Sequence, residues 1–477
     1  MKKNLFKTVT LAFVCILCLE SGSCGGDDKS EIPNNPEIPI TPNEPEKNNA
    51  MSAADQKEYL EKVALEFMEK IPASDFIEIS DLGEYINKTY FKGYKWDNVG
   101  KWAEEAFNSS CEALGTKTTE NRTEDVGNSS YKFNYIYTNY SALLLASNFT
   151  GHFVASNNRW MYESSDDLQF IFTDKRGKKC VVKLETSGNV KRVHALDYLS
   201  RKGYDYDYNS NTSNYYYDRT QCTIGIPERI DLSLTQGDDQ VIKITININL
   251  GSIANEEFDI SKNSLTISSV IELNNGFKFD LYRVAYSGNN KASVSFTMTK
   301  KGQSLVTLGV ASDINDIPSV NVSAFYGLKN KDKKEYSTDN TNAKNAFAKI
   351  DIIGKVQIQG SVADVRQIVD CLNNAKTNNK NESDYKEQIS KANNLAYLYL
   401  FYDGNSTKQA QVKLEPFLEE NWRGRFWTVE PVLYFYDGTS YSTFMAFFNQ
   451  EDFKQTIKAF KNLANNYASL INEDIKW

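Results

Sequence analysis

Val241-Ile242-Lys243-Ile244-Thr245-Ile246-Asn247-Ile248-Asn249-Leu250 is the stretch that decides the fold. Ile242, Ile244, Ile246, Ile248 and Leu250 alternate with Lys243, Thr245, Asn247 and Asn249. Successive side chains of a strand point to opposite faces, so this period of two predicts an antiparallel strand with one buried and one wet face. Ile230–Leu234, Phe277–Leu281, Val294–Met298, Val306–Val310 and Ile350–Ile358 read likewise. Polar turns with glycine at Asp174–Gly177, Gln236–Asp239, Asn274–Gly276 and Lys300–Gln303 make residues 131–360 a run of hairpins.

The period changes on either side. Ser52 is placed to cap a helix with Asp55 three residues on, and Tyr59, Leu60, Val63, Phe67, Met68 and Ile71 recur at helical spacing until Pro72. Further helices are expected at Asp81–Asn87 and Val99–Leu114, completing a helical segment over 51–130 in which 115–130 reads as a polar loop. The region 361–477 mixes types, with helices at Val362–Ala375, Ser383–Asn394 and Glu451–Ile471. Between them, Tyr397–Gly404 and Leu433–Gly438 are two aromatic strands, each entering an Asp-Gly turn. The fold class expected is α+β: a large curved antiparallel sheet of long hairpins covered by N-terminal and C-terminal helices.

Residues 1–23 have the parts of a bacterial secretion signal: Lys2, Lys3 and Lys7, then an apolar run from Leu11 to Leu19. That run is too short to span a hydrocarbon core of ~30 Å as a helix. Ser21-Gly22-Ser23-Cys24 puts small residues before a thiol and resembles a bacterial lipoprotein lipobox, with Ser21 where leucine is usual. The resemblance implies lipid attachment at Cys24 and a membrane partner through that lipid. Gly25-Gly26-Asp27-Asp28 looks like the acidic stretch that directs lipoproteins of Bacteroidetes to the cell surface. Residues 24–50 then carry Pro33, Pro36, Pro39, Pro42 and Pro45, a spacing that favours extended polyproline II. At ~3.1 Å per residue this stalk reaches up to roughly 80 Å. Together with Trp160, Asp167–Phe172 and Gly177–Val182, these features resemble uncharacterised Bacteroidetes outer-membrane and surface lipoproteins of similar length. That resemblance implies a compartment and carries no catalytic residues with it.

Composition narrows the function further. The net charge is −8, and no run of Lys or Arg forms a basic stripe, which argues against a nucleic-acid partner. The two histidines, His152 and His194, have no cysteine or carboxylate at metal-ligand spacing and no glycine-flanked serine, so no metal, no cofactor and no catalytic residue is assigned. Paired carboxylates for a hydrolase are spatial and stay open; Glu430 amid Trp422, Trp427 and Tyr434 is one such acid. Cys111, Cys180, Cys222 and Cys371 could pair in an exported chain, with three connectivities open, but each sits beside apolar residues and the favoured reading is buried free thiols.

The segment Tyr204–Asp218 holds six tyrosines and almost no aliphatic residues, and reads as an exposed loop. Tyr204, Tyr206, Tyr208, Tyr215, Tyr216 and Tyr217, with Trp422 and Trp427, are the candidate ligand contacts, because aromatic rings give large contact area at low entropy cost. The function expected is non-enzymatic binding of a glycan or other extracellular ligand, lipid or protein, at the cell surface. A carrier of an apolar ligand in a sheet-and-helix tunnel is the alternative, and a carboxylate-based hydrolase stands below both.

Overall fold

The computed structural model describes residues 50–113, 118–125, 132–253, 263–286, 291–315, 342–421, 424–438 and 441–471, with Phe258 and Ile475. Cys24, the leader, the stalk up to residue 49 and Trp422 lie outside the described residues. The helices are α1 (Ala53–Lys70), α2 (Ile77–Ile86), α3 (Asp97–Ala113), α4 (Val365–Thr377), α5 (Glu382–Leu395), α6 (Phe444–Phe447) and α7 (Lys454–Leu470). The described residues form two compact units, one within 85–265, the other within 50–84, 266–315 and 342–475. The chain is α+β, as the alternation of periods predicts.

The first unit contains β1 (Thr118–Asp125), β2 (Lys132–Leu145), β3 (Gly151–Ser156), β4 (Arg159–Glu163), β5 (Leu168–Thr173), β6 (Lys179–Asp207), β7 (Thr212–Gln236) and β8 (Asp239–Leu250). Its spine is the β6–β7 hairpin, whose 25-residue second strand extends about 80 Å at 3.3 Å per residue. On the far edge of β7, β8 pairs with Arg229–Gln236, and β2 pairs with Thr212–Gly225. At the end of this second stretch stands Gly225, where a Cβ would meet Leu145 and Val190. Pairing along β6 slips at three places, the first next to Gly188, whose φ of +82° suits glycine.

The structure departs from the expected sheet in three ways. β2–β7 and β3–β5 are parallel, so the sheet is mixed, not purely antiparallel. Thr118–Asp125, read as loop for its polarity, is an antiparallel edge strand held by the ladder to β2. Tyr204–Asp218 is no loop: only residues 208–211 turn, and the tyrosines on either side belong to β6 and β7. Tyrosine is a strong strand former, and Tyr-Asp-Tyr-Asp alternation is itself a period of two.

The register explains the aliphatic pattern. Ile242, Leu234, Val182, Phe170 and Phe153 line up across five strands on one face. Cover is uneven along that row. Phe153 is fully buried under Trp102 of α3, with ring centroids 5.0 Å apart, and Trp160 and Phe172 pack on Tyr90. Ile242, Ile244, Ile246 and Ile248 are only half-buried, against an expectation of full burial. Among the described residues, the ring contacts of Trp102 and Tyr90 reach β3, β4 and β5.

The second unit holds β9 (Leu265–Leu273), β10 (Phe277–Tyr286), β11 (Lys291–Lys300), β12 (Gln303–Asn315), β13 (Asn342–Ile352), β14 (Val356–Asp364), β15 (Ala396–Tyr402), β16 (Ala410–Asn421), β17 (Gly424–Phe435) and β18 (Tyr441–Thr443). β10 to β18 form an antiparallel meander in which each strand pairs with the next. Ser52 caps α1 as its sequence predicts, accepting from Asp55 N at 3.2 Å. The terminal helices lie together over the meander: Tyr467 of α7 donates to Ile71 O at 3.0 Å, and Leu60 and Val63 of α1 pack on Val356, Leu400 and Tyr402. α4 and α5 cover the neighbouring part of that face through Ala375, Tyr385 and Ile389.

Candidate functional site

In the half of the hairpin nearest its tip, β1, β2, β7 and β6 lie side by side. Tyr135 stands opposite Tyr215 and Tyr137 opposite Tyr217 in the parallel ladder, while Tyr204 and Arg201 of β6 stand opposite Tyr215 and Tyr217. Cross-strand partners share a face, so these side chains form one surface. Tyr135 and Tyr215 are near-parallel, 5.6 Å between centroids and 19° between planes, and Tyr137 and Tyr217 repeat this at 5.5 Å and 23°. Phe133 and Tyr204 flank Tyr215 at 6.0 and 5.1 Å. These are the separations of favourable offset ring pairs.

The parity of β7 shows which face this is. β7 carries no slip of its own against β6, so Tyr215 and Tyr217 share a face with Asp231 and Ser233, and oppose Ile230, Leu232 and Leu234. The tyrosine face therefore continues the polar side of the sheet. Its rings stay half-buried by packing on one another, and Tyr204 keeps 51% exposure.

The candidate contacts separate accordingly. Tyr204, Tyr215 and Tyr217 are brought together. Tyr206 closes the tip through its hydroxyl to Asn211 and an edge contact with Tyr208, which is 86% exposed. Tyr216 points from the opposite face and donates to Asp205 at 3.0 Å, a bond that raises its phenol pKa. Trp427 belongs to the second unit, where it packs beside Leu414 and Val429 under α4 and α5, with Lys386 Nζ 4.9 Å from its ring. Sequence reasoning missed Phe133, Tyr135 and Tyr137, although Phe-Asn-Tyr-Ile-Tyr is a visible alternation.

Other chemistry lies elsewhere. His152 donates from Nε2 to Asp167 Oδ1 at 2.6 Å, and the same carboxylate accepts from Gln169 and Ser165. The Gln169 amide above all, then His152 and Ser165, hold that carboxyl well below the usual range. Ser165 donates to the acid, not to the imidazole, so this is no nucleophilic triad. Glu415 and Glu430 stand directly opposite on β16 and β17, and Tyr434 donates to Glu415 at 2.7 Å. Both acids share one sheet face. Among the described residues, no group of three or more His, Cys, Asp or Glu could hold a metal ion. Cys180 and Cys371 are free, and burial pushes the Cys180 thiol up.

In the second unit, α1, α7 and the segment between α1 and α2 border a groove of about 630 Å³ lined by Leu65, Met68, Pro72, Ile77, Leu463 and Leu470. No helix among the described residues is long and apolar enough to cross a membrane. No family model, curated protein or solved structure matches the chain.

Proposed function

We propose that this chain is a non-enzymatic recognition protein that takes a glycan on the tyrosine face of its long hairpin. A lipid on Cys24 tethers it to the outer membrane, with the stalk holding the folded part away from the bilayer at the cell surface. One observation carries the reading: Phe133, Tyr135, Tyr137, Tyr204, Tyr215 and Tyr217 gather on the polar side of the hairpin, away from its aliphatic side. A row of rings at a wet surface gives apolar area and hydroxyls together, the combination that sugar rings need. The test is a glycan array with the full-length chain and a Tyr135→Ser/Tyr217→Ser variant. Binding that the double change abolishes, with the melting temperature kept within a few degrees, supports the reading; binding indifferent to it removes the site.

The groove between α1 and α7 favours a second reading, carriage of an apolar ligand. Its mark is lipid co-purifying with the wild-type chain and lost on Leu463→Asp.

A further inference from the structure

Arg201 is unlike other cations of the β6–β7 hairpin. Lys202 pairs with Asp218 at 3.2 Å, Arg229 grips Asp231 through two bonds of 2.6 and 2.9 Å, and Lys183 reaches Glu185 at 2.8 Å. Arg201 is exposed and makes no ion pair among the described residues. Its guanidinium carbon lies 5.1 Å from the centre of the Tyr215 ring, and Tyr217 is its cross-strand partner. A guanidinium stacked on a ring keeps its in-plane N–H donors free, and their fork matches the two oxygens of a carboxylate or sulfate. In a chain of net charge −8, acids are abundant enough to have paired it. The ring holds it in place at the edge of the tyrosine face.

Resting on the glycan reading above, we infer that the hairpin face selects an acidic polysaccharide, with Arg201 taking the anionic group of a sugar whose rings contact Tyr204, Tyr215 and Tyr217. The chain's overall negative charge does not oppose this at contact range, since exposed charges more than about 8 Å apart are largely screened at physiological salt. The contact pair itself is charge-assisted and bidentate, which makes it geometry-dependent. Lysine, a point charge, replaces it only in part.

The full-length chain and its Arg201→Gln and Arg201→Lys variants are titrated with four polymers: polygalacturonate, dextran sulfate, neutral dextran and poly-L-glutamate. The expected result is preference for a charged polysaccharide, weakened about ten- to hundredfold by Arg201→Gln and less by Arg201→Lys, with melting temperatures unchanged. Whether polygalacturonate or dextran sulfate shows that loss identifies the anion as carboxylate or sulfate. Neutral dextran bound as tightly as either, with no effect of Arg201→Gln, overturns the inference and leaves the glycan reading standing. Poly-L-glutamate bound as tightly as the charged polysaccharides overturns it in favour of a protein partner. A glycan-array blank, together with no binding to any polymer, removes both.

Discussion

Near its base, the β6–β7 hairpin carries Val182, Leu184, Ile230, Leu232 and Leu234 on one face; near its tip, Tyr204, Tyr215 and Tyr217 stand on the other. The strands are continuous and β7 keeps its parity throughout, so the inversion is written into the residues and not produced by a twist or slip. Aliphatic area left in water costs roughly 25 cal/mol per Å², and such a face calls for cover. Tyrosine gives a comparable ring surface with a hydroxyl that water satisfies, so it can remain open. One half of the hairpin is thus built to be packed against and the other to be wetted.

Deep in the covered part, Phe153→Ala should cost about 3–5 kcal/mol by opening a cavity beneath Trp102, Phe170 and Tyr162, read by denaturant unfolding. A loss under 1 kcal/mol would mean that α3 does not seal this end. At β8, Ile246→Asp should cost about 1–3 kcal/mol and Asn247→Asp no more than about 0.5, since Ile246 is half-buried and Asn247 exposed. Equal shifts in melting temperature would erase the difference between the two faces.

Near the tip, Tyr217→Ser removes cross-strand ring pairs with Tyr137 and Tyr135 and should cost only about 0.5–1 kcal/mol. A cost matching Phe153→Ala would make the tyrosine face a core. The smallest effect concerns pH. The Arg229 guanidinium first, with Thr245, holds the Asp231 carboxyl below its usual range. A depressed folded pKa contributes stability above the unfolded carboxylate range, and this is lost as pH falls through the folded pKa. Asp231→Asn should therefore lower the melting temperature slightly at neutral pH, and by less as pH falls below the usual carboxylate range. A difference that persists undiminished at pH 2 would separate the effect from ionisation.

Much of this molecule is legible in its sequence where hydrophobic and polar residues alternate, as at Ile242–Ile248, or recur at helical spacing, as from Tyr59 to Ile71. The alternation predicts strands without predicting neighbours. The parallel pairing of β2 with β7, which assembles the tyrosine face, joins segments about 80 residues apart that share no local signal. Likewise the pairing of β3 with β5 brings His152 beside Asp167, and that of β16 with β17 sets Glu415 opposite Glu430. Tyr204–Asp218 misleads because loops and wet strand faces draw on the same residues; the β-propensity of tyrosine was the better guide. Thr118–Asp125 shows the converse, an edge strand sustained by its ladder and not by any apolar pattern.

The most direct test is hydroxyl-radical footprinting of the full-length chain with and without a glycan that it binds. The account predicts that the glycan lowers oxidation at Tyr204, Tyr215 and Tyr217 and leaves Leu232, Leu234 and Ile244 unchanged. Protection of Leu232, Leu234 and Ile244 with Tyr204, Tyr215 and Tyr217 unaffected would contradict it and move the binding face to the other side of the hairpin.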